Sequence, residues 1–484
     1  MKTVAFFYTP PIEIIDLYIR IIIELIEQNL SLNNNIKIIV CKGKIGLNKC
    51  VANYRGDRSK CYICKNGLGF LKNKYFNNKH IEFLTYSKKP ENKLEFDLNS
   101  IDDLKKINYK GINIGYAVHS SVITTFRDHI YKLNERKNFV ISSLISSIKT
   151  LDILFEITPD HVYTFNGRVS HYNAIKNFAQ HFKIDFSIFE ITANKNKYLI
   201  LKNKPLHSVD SYTNQIEEIW RSSKLELNEK EKQAKSFFDL NSGRFKDPRF
   251  NINVFSKDEV IENIERFKST NKRVISIFNS TRNEFECVEE WNKEKFYEDD
   301  EELINEICEY FKKNKELLFI LRVHPNLKFL KNTQSDNIKK LSKNNNLIII
   351  PPQEKLSSYG LIRISDLIIT FGSTIGVEST YMGKKTITIG DSLYKNLDCT
   401  YTPKSFNELI DLIKDDKLTP KPLVSTYKYG FYILNNGNYF TLKKPDDIKY
   451  NKLKYWILKI FNSHKYISKS NLNNTYSILK RYIN

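Results

Sequence analysis

Three short stretches carry the residue types that hold an anionic substrate. "FNSTRNE" (Phe278–Glu284) sets Asn279, Ser280 and Thr281 directly after an apolar run. "RVHPN" places Arg322, His324, Pro325 and Asn326 after "LLFIL", and "TFGSTIGVES" places Gly372, Ser373, Thr374 and Glu378 after "DLII". Arginine and histidine supply N–H donors to a phosphate. Two hydroxyls ahead of a helix add donors beside its first-turn amides. Gly372 permits an unusual backbone angle, and Gly376 would let a phosphate come close. Glu378, one turn on, is placed to accept ribose hydroxyls. Each stretch also has a plainer reading, since His-Pro is commonly a turn and Ser-Thr before a helix commonly only a cap. In this order, each at the end of an apolar run, they describe a seat for a nucleotide mono- or diphosphate.

The elements that must position these stretches alternate between strand and helix. The run Leu317–Leu321 reads as a buried strand that delivers Arg322 and His324 to its carboxyl end, where Pro325 stops the ladder. Around it stand "RVISIFNS", a helix over 299–313, "LIIIPP", "SSYGLIRISD", "DLIITFGS", a helix over 376–382 and "TITIG". An earlier series runs "TVAFFYT", a helix over 12–29, "IKIIVC", "HIEFLTY", "GINIGYAVHSSVIT", a helix over 134–156, "HVYTFNG" and "DFSIFEI". Such alternation predicts parallel sheets, with ligands at the carboxyl ends of the strands. The expected architecture is α/β, with two doubly wound Rossmann-like domains facing a central cleft. The first spans 1–207 and contains a cysteine-rich insertion at 41–70. A charged helical connector follows at 208–257, then a nucleotide-binding domain at 258–445 and a basic helical tail at 446–484.

The stretch from Val274 to Tyr394, with "RVHPN" and "SSYGLIRISDLIITFGSTIGVESTYMGKKTITIG", resembles the C-terminal domain of bacterial capsule and surface-polysaccharide glycosyltransferases of the GT-B fold. It is similar in particular to capsular Kdo transferases and bacterial sialyltransferases, which hold a donor nucleotide with a His-Pro motif and a Ser-Ser/Thr motif. "FNGRVSHYNAIKNFAQHFKIDFSIFE" is similar to a segment of the same capsule-type proteins. The resemblance implies transfer of a sugar from a nucleotide-activated donor to a capsule or lipopolysaccharide-type glycan, without a catalytic metal. It favours CMP as the nucleotide. UDP is the alternative, because similar loops occur in UDP-sugar enzymes, including the UDP-GlcNAc 2-epimerases. Asn166, Gly167 and Arg168 end one strand and Glu190 the next, so both should face the acceptor. Glu190 is then a candidate base for the acceptor hydroxyl, Arg168 a holder of an acceptor acid or phosphate, and His324 a further catalytic candidate. Glu190 reads equally as a surface carboxylate paired with a lysine. The Asp-Gly or Glu-Gly motif of the sialyltransferases is absent from the N-terminal half, which leaves the base open.

Composition bounds the rest. Seventy-six Lys and Arg against 55 Asp and Glu give a net charge of +21, which favours anionic partners. AT-rich codon usage explains part of such an excess. The lysines are dispersed and no nucleic-acid module is recognisable, so nucleic acid is not an expected partner. The expected partners are a nucleotide sugar, a glycan or lipid-linked glycan acceptor, and an anionic membrane face. The tail reads either as a helix packed on the body or as an interfacial contact. "IIDLYIRIIIELI" is interrupted by Asp16, Arg20 and Glu24, and no signal peptide precedes it, which predicts a cytoplasmic chain near the inner membrane face. Four of the seven cysteines, Cys41, Cys50, Cys61 and Cys64, fall close together. "CYICKNG" has the form of a zinc knuckle, so a structural zinc is one expectation and unrelated thiols the other.

Overall fold

The computed structural model describes residues 1–41, 43, 45, 53, 57–86, 98–244, 246–250, 272–288, 291, 295–341 and 346–442. The expected tail at 446–484 and Cys50 lie outside the described residues. The chain forms two units, one comprising 1–121, 136–187 and the chain from 440 onward, the other 122–135 and 188–439.

In the first unit, β1 (Thr3–Tyr8), β2 (Asn35–Val40) and β3 (Ile81–Thr85) pair in parallel. The two-residue strands β4 (Asn108–Tyr109) and β5 (Ile112–Asn113) make a small antiparallel pair. Then β6 (His161–Phe165) joins the other side of β1. The long apolar helix Ile15–Ser31 buries Tyr18, Ile19, Ile22 and Leu25, while Asp16 and Glu27 stay outside. Of its charged interruptions only Asp16 is exposed; Arg20 is half-buried and Glu24 is buried, its carboxylate accepting the Thr441 and Leu442 N–H groups at 2.9 and 3.1 Å.

"CYICKNG" does not form a knuckle. Cys61 and Cys64 lie within the 17-residue helix Arg58–Lys74, capped by the Asp57 carboxylate on the Ser59 N–H. The glycine of the motif, Gly67, serves packing, since a Cβ there would stand 2.5 Å from the Tyr8 hydroxyl and 2.6 Å from Ile19. Among the described residues no group of three or more His, Cys, Asp or Glu side chains converges as metal ligands.

The strand β7 (Asp185–Ile191) begins in the first unit and ends in the second, where β8 (Lys197–Lys202) pairs with the two-residue β14 (Asn438–Tyr439). The main sheet of the second unit holds β9 (Arg273–Phe278), β10 (Leu317–Arg322), β11 (Leu347–Ile350), β12 (Leu367–Phe371) and β13 (Lys385–Ile389). All pairs are parallel, in the order β11-β10-β9-β12-β13. The apolar run of β10 is continuous because both faces are covered. Phe319 and Leu321 join a core with Leu303 and Ile307 of the helix Asp300–Tyr310. Leu318 and Ile320 join another with Tyr359, Leu361 and Ile362 of the helix Ser358–Ile364.

The expected connector is part of this second unit. The helices Val209–Ser222 and Leu227–Asn241 bury Ile216, Ala234, Phe237 and Phe238 in a cluster set with Tyr429, Phe431 and Tyr432 of the helix Leu423–Asn435. The helices approach so closely that a Cβ on Gly430 would stand 2.9 Å from the Ala234 carbonyl. Residues 122–135, far earlier in sequence, also belong to this unit. No described helix is long and apolar enough to cross a membrane.

Candidate functional site

Register puts the three sequence stretches at one edge of the second sheet. Phe278 lies opposite Arg322 on one side and Thr370 on the other, so β9, β10 and β12 end at the same level. Strand order reverses at β9, from which β10 and β11 extend to one side and β12 and β13 to the other. A crevice at the carboxyl ends beside such a reversal is the usual ligand position in an open α/β sheet. Here it is a pocket of about 620 Å³, its open mouth included, lined by Asn279, Arg322, His324, Pro325, Ser373, Thr374 and Glu378, with Asn241, Phe278, Ser358, Tyr359 and Ile375. Ser280, Thr281, Asn326 and Gly372 lie in the same loops but do not line it.

His324 is held by its neighbours on both sides. Its N–H donates to the Asn279 carbonyl oxygen Oδ1 at 2.9 Å, and its Nδ1 accepts the Asn326 N–H at 3.1 Å. A neutral imidazole that accepts at Nδ1 carries its hydrogen at Nε2. Burial lowers its pKa. The Arg322 and Arg127 charges push the same way, and Glu284 opposes them. The ring is thus a neutral N–H donor at pH 7.

Arg322 differs from the sequence expectation. It follows Leu318 and Ile320 on the same strand face and is 4% exposed. Its Nη1 donates to the Pro351 carbonyl at 2.8 Å and its Nη2 to that of Glu354 at 3.1 Å. The guanidinium fork therefore fastens the loop after β11, and only Nε is left without a partner. A cation at the end of a core strand is explained here by backbone carbonyls that would otherwise be buried unpaired.

The loop after β12 is fixed by packing as well. Gly372 has φ +67, and a Cβ there would stand 2.6 Å from the Asp391 carbonyl. Gly376 lacks a side chain for a reason other than phosphate approach: a Cβ would meet the Tyr394 hydroxyl at 2.2 Å and Thr370 and Thr388 at 3.0 Å. Ser373 Oγ accepts the Ile375 N–H at 3.4 Å, so its own hydrogen can be donated to a ligand. Ser280 is a brace, its hydroxyl donating to the Phe371 carbonyl at 2.7 Å and tying the β9 loop to the β12 loop.

Glu378 is 2% exposed and receives hydrogen bonds from the Tyr359 hydroxyl, from Asn241 Nδ2 at 2.6 Å and from the Thr374 hydroxyl. Burial raises its pKa against these bonds. The carboxylate that sequence reasoning offered to a ribose is the hub of the pocket floor. Neither Tyr359 nor Asn241 was foreseen. Asn241 ends a helix whose charged composition hid its packed face. Tyr359 is a helix residue in the segment "SSYGLIRISD".

Behind the β9 loop, Arg282 is buried against Asp299 and donates to Glu286 at 3.3 Å. Gln334 ties this cluster to the pocket, donating to the Ser280 carbonyl and to Glu301 Oε1, each at 3.0 Å. Glu301 Oε2 is buried without a partner, and burial and then the neighbouring Asp300 push its pKa up to about 8. A carboxyl whose folded pKa exceeds its unfolded value stabilises fully only below the unfolded value, and the contribution is lost as pH rises toward about 8. Glu301→Gln, which fixes the neutral form, is therefore expected to raise Tm by a few degrees at pH 8 and by much less at pH 5. Equal changes at both pH values in a thermal melt would disprove the buried proton.

Asn166 and Gly167, expected on an acceptor side, follow β6 of the first unit in a tight turn, with φ +57 and +72. Arg168 Nε donates to Ser120 Oγ at 3.3 Å, and the Asn173 amide closes on the Gly167 carbonyl at 3.1 Å. Glu190 lies in β7, in the second unit, with Oε1 accepting the Ile191 N–H at 3.0 Å. It is not among the residues lining the pocket.

Residues 227–402 match a family model described as "putative O-antigen biosynthesis protein". No curated protein matches the sequence. Among solved structures, a Thermosulfurimonas dismutans KpsC, a beta Kdo 2,4 transferase, is similar at 14% identity and TM-score 0.33, over 58% of this chain and 85% of its own. A UDP-GlcNAc 2-epimerase from Neisseria meningitidis matches at 14% and 0.24, over 90% and 98%. The glycosyltransferase SnogD from Streptomyces nogalater matches at 9% and 0.25, over 89% and 95%. No TM-score among these reaches 0.5.

Proposed function

We propose that the protein transfers a sugar from a nucleotide-activated donor, a CMP-sugar before a UDP-sugar, to a bacterial surface glycan. The observation that carries this reading is the convergence of Asn279, His324, Ser373 and Thr374 on one pocket at the switch point of a parallel sheet. The His324 Nε2–H and the Ser373 hydroxyl would donate to the nucleotide phosphate, and their bonds would strengthen as charge gathers on it. Aromatic Phe278 and Tyr359 supply apolar surface for the rest of the nucleotide. The acceptor oxygen would attack the anomeric carbon, its proton passing to Glu190. The bond to the phosphate oxygen would break with its electron pair staying on the phosphate.

The test incubates the full chain with CMP-, UDP-, GDP- and dTDP-sugars, with and without a surface-glycan acceptor, and follows products by mass spectrometry. Sugar transferred to the acceptor with release of free nucleotide is the expected result. Donor turned over equally without acceptor would replace this reading by an epimerase or hydrolase. Turnover of no donor would remove it.

A further inference from the structure

Arg322 has its guanidinium fork on backbone carbonyls, yet another guanidinium stands beside His324. Arg127 follows the helix Gly115–Phe126, and its N–H returns to the Ile123 carbonyl at 2.8 Å with φ +56. This left-handed position after a helix is normally filled by Gly or Asn, because a Cβ there is crowded.

The surrounding contacts fix where its side chain starts. Asn332 Nδ2 donates to the Arg127 carbonyl at 2.7 Å, and the Thr333 N–H donates to the Asp128 carboxylate at 3.2 Å. Both partners open the helix Thr333–Lys340 of the second unit, so the 127–128 segment is fastened to the body that carries the pocket. From there Nη2 reaches the Asn326 carbonyl at 3.4 Å, a long bond that leaves most of the fork's donors unengaged. Among the described residues no carboxylate lies within ion-pair distance of Arg127. Glu284, in the short helix Arg282–Phe285 after β9, is met by Asn326 Nδ2 at 3.2 Å. A half-buried cation without a counter-ion, next to a neutral histidine donor, is a charge awaiting an anion.

We propose that Arg127, which does not line the pocket itself but stands behind the His324–Asn326 loop at its rim, is the cation that meets the donor's phosphate. The proposal rests on the nucleotide reading above and adds the residue that senses the charge.

The experiment uses Arg127→Gly in the full chain, with UDP, CMP, uridine and cytidine as probes in calorimetry. Glycine accepts the left-handed backbone, so Tm is expected to equal or exceed that of the wild type. Affinity for UDP or CMP should fall by about 10- to 100-fold, while affinity for the matching phosphate-free nucleoside stays unchanged. Arg127→Lys, which keeps the charge without the fork, should fall in between. A folded Arg127→Gly protein that binds the nucleotide as tightly as the wild type overturns the assignment of the arginine alone. Equal losses for nucleotide and nucleoside overturn it too. Wild-type protein that binds neither UDP nor CMP removes the pyrimidine-nucleotide reading itself, and this inference with it.

Discussion

Replacing His324 by alanine is expected to cut the rate of sugar transfer by about 100- to 1,000-fold and to weaken nucleotide binding with it. The alanine removes the Nε2–H donor and also the Nδ1 acceptor that caps the Asn326 N–H. His324→Asn separates the two effects, because a carboxamide oxygen can accept the same N–H while offering nothing where Nε2 stands. It should melt close to the wild type and still lose most nucleotide affinity. If His324→Asn binds nucleotide normally in calorimetry, the imidazole is only a loop cap. The pH dependence has a definite sign. Burial holds the His324 pKa below its ordinary value, so the folded state favours the neutral ring. Its contribution to stability is complete above the unfolded value of about 6.5 and is lost as pH falls toward the folded pKa. Phosphate binding should be flat between about pH 7 and 8 and strengthen only in acid, as the ring gains charge.

The second large effect is structural. Glu378→Ala should cost about 3–5 kcal/mol in chemical denaturation, since it leaves the Tyr359 hydroxyl, the Asn241 amide and the Thr374 hydroxyl without their common acceptor in a buried site. Glu378→Gln keeps one acceptor oxygen but brings an amide among donors, and a loss of about 1–3 kcal/mol is expected. A change below about 1 kcal/mol for the alanine variant would show that the three donors find water through the pocket mouth. Because Asn241 belongs to the helix Leu227–Asn241, the alanine variant should also loosen that helix, read as faster amide exchange near its end.

These expectations divide by how much of each was visible in the residues. The strands of the second unit, their parallel order of use and the three loops that meet at the pocket follow from local pattern. Apolar runs buried on both faces end in Asn-Ser-Thr, His-Pro-Asn and Gly-Ser-Thr, and a parallel sheet must bring such ends to one edge. Asn279, His324, Ser373 and Thr374 were legible for that reason. Segments with weak periodicity were not. The helix Leu227–Asn241 buries only a narrow stripe, so its charged residues read as a connector. "CYICKNG" read as a knuckle because cysteine spacing carries no record of the helix that encloses it.

The roles of individual side chains were decided by tertiary contacts. An arginine at a strand end looks the same in sequence whether it meets a phosphate or a backbone carbonyl, and here Pro351 and Glu354 take its fork. A buried glutamate looks like a ribose acceptor until Tyr359 and Asn241 are seen to fill it. Arg127 could not be found at all, because nothing local links a helix end at 126 to a loop at 324–326. Sequence by itself determined the sheet and the edge at which its strand-end loops meet, since both follow from periodicity and strand-end chemistry. Only the tertiary structure decided which side chains are already engaged within the fold, Arg322 by the Pro351 and Glu354 carbonyls and Glu378 by Tyr359 and Asn241, because hydrogen-bond partners distant in sequence settle that choice.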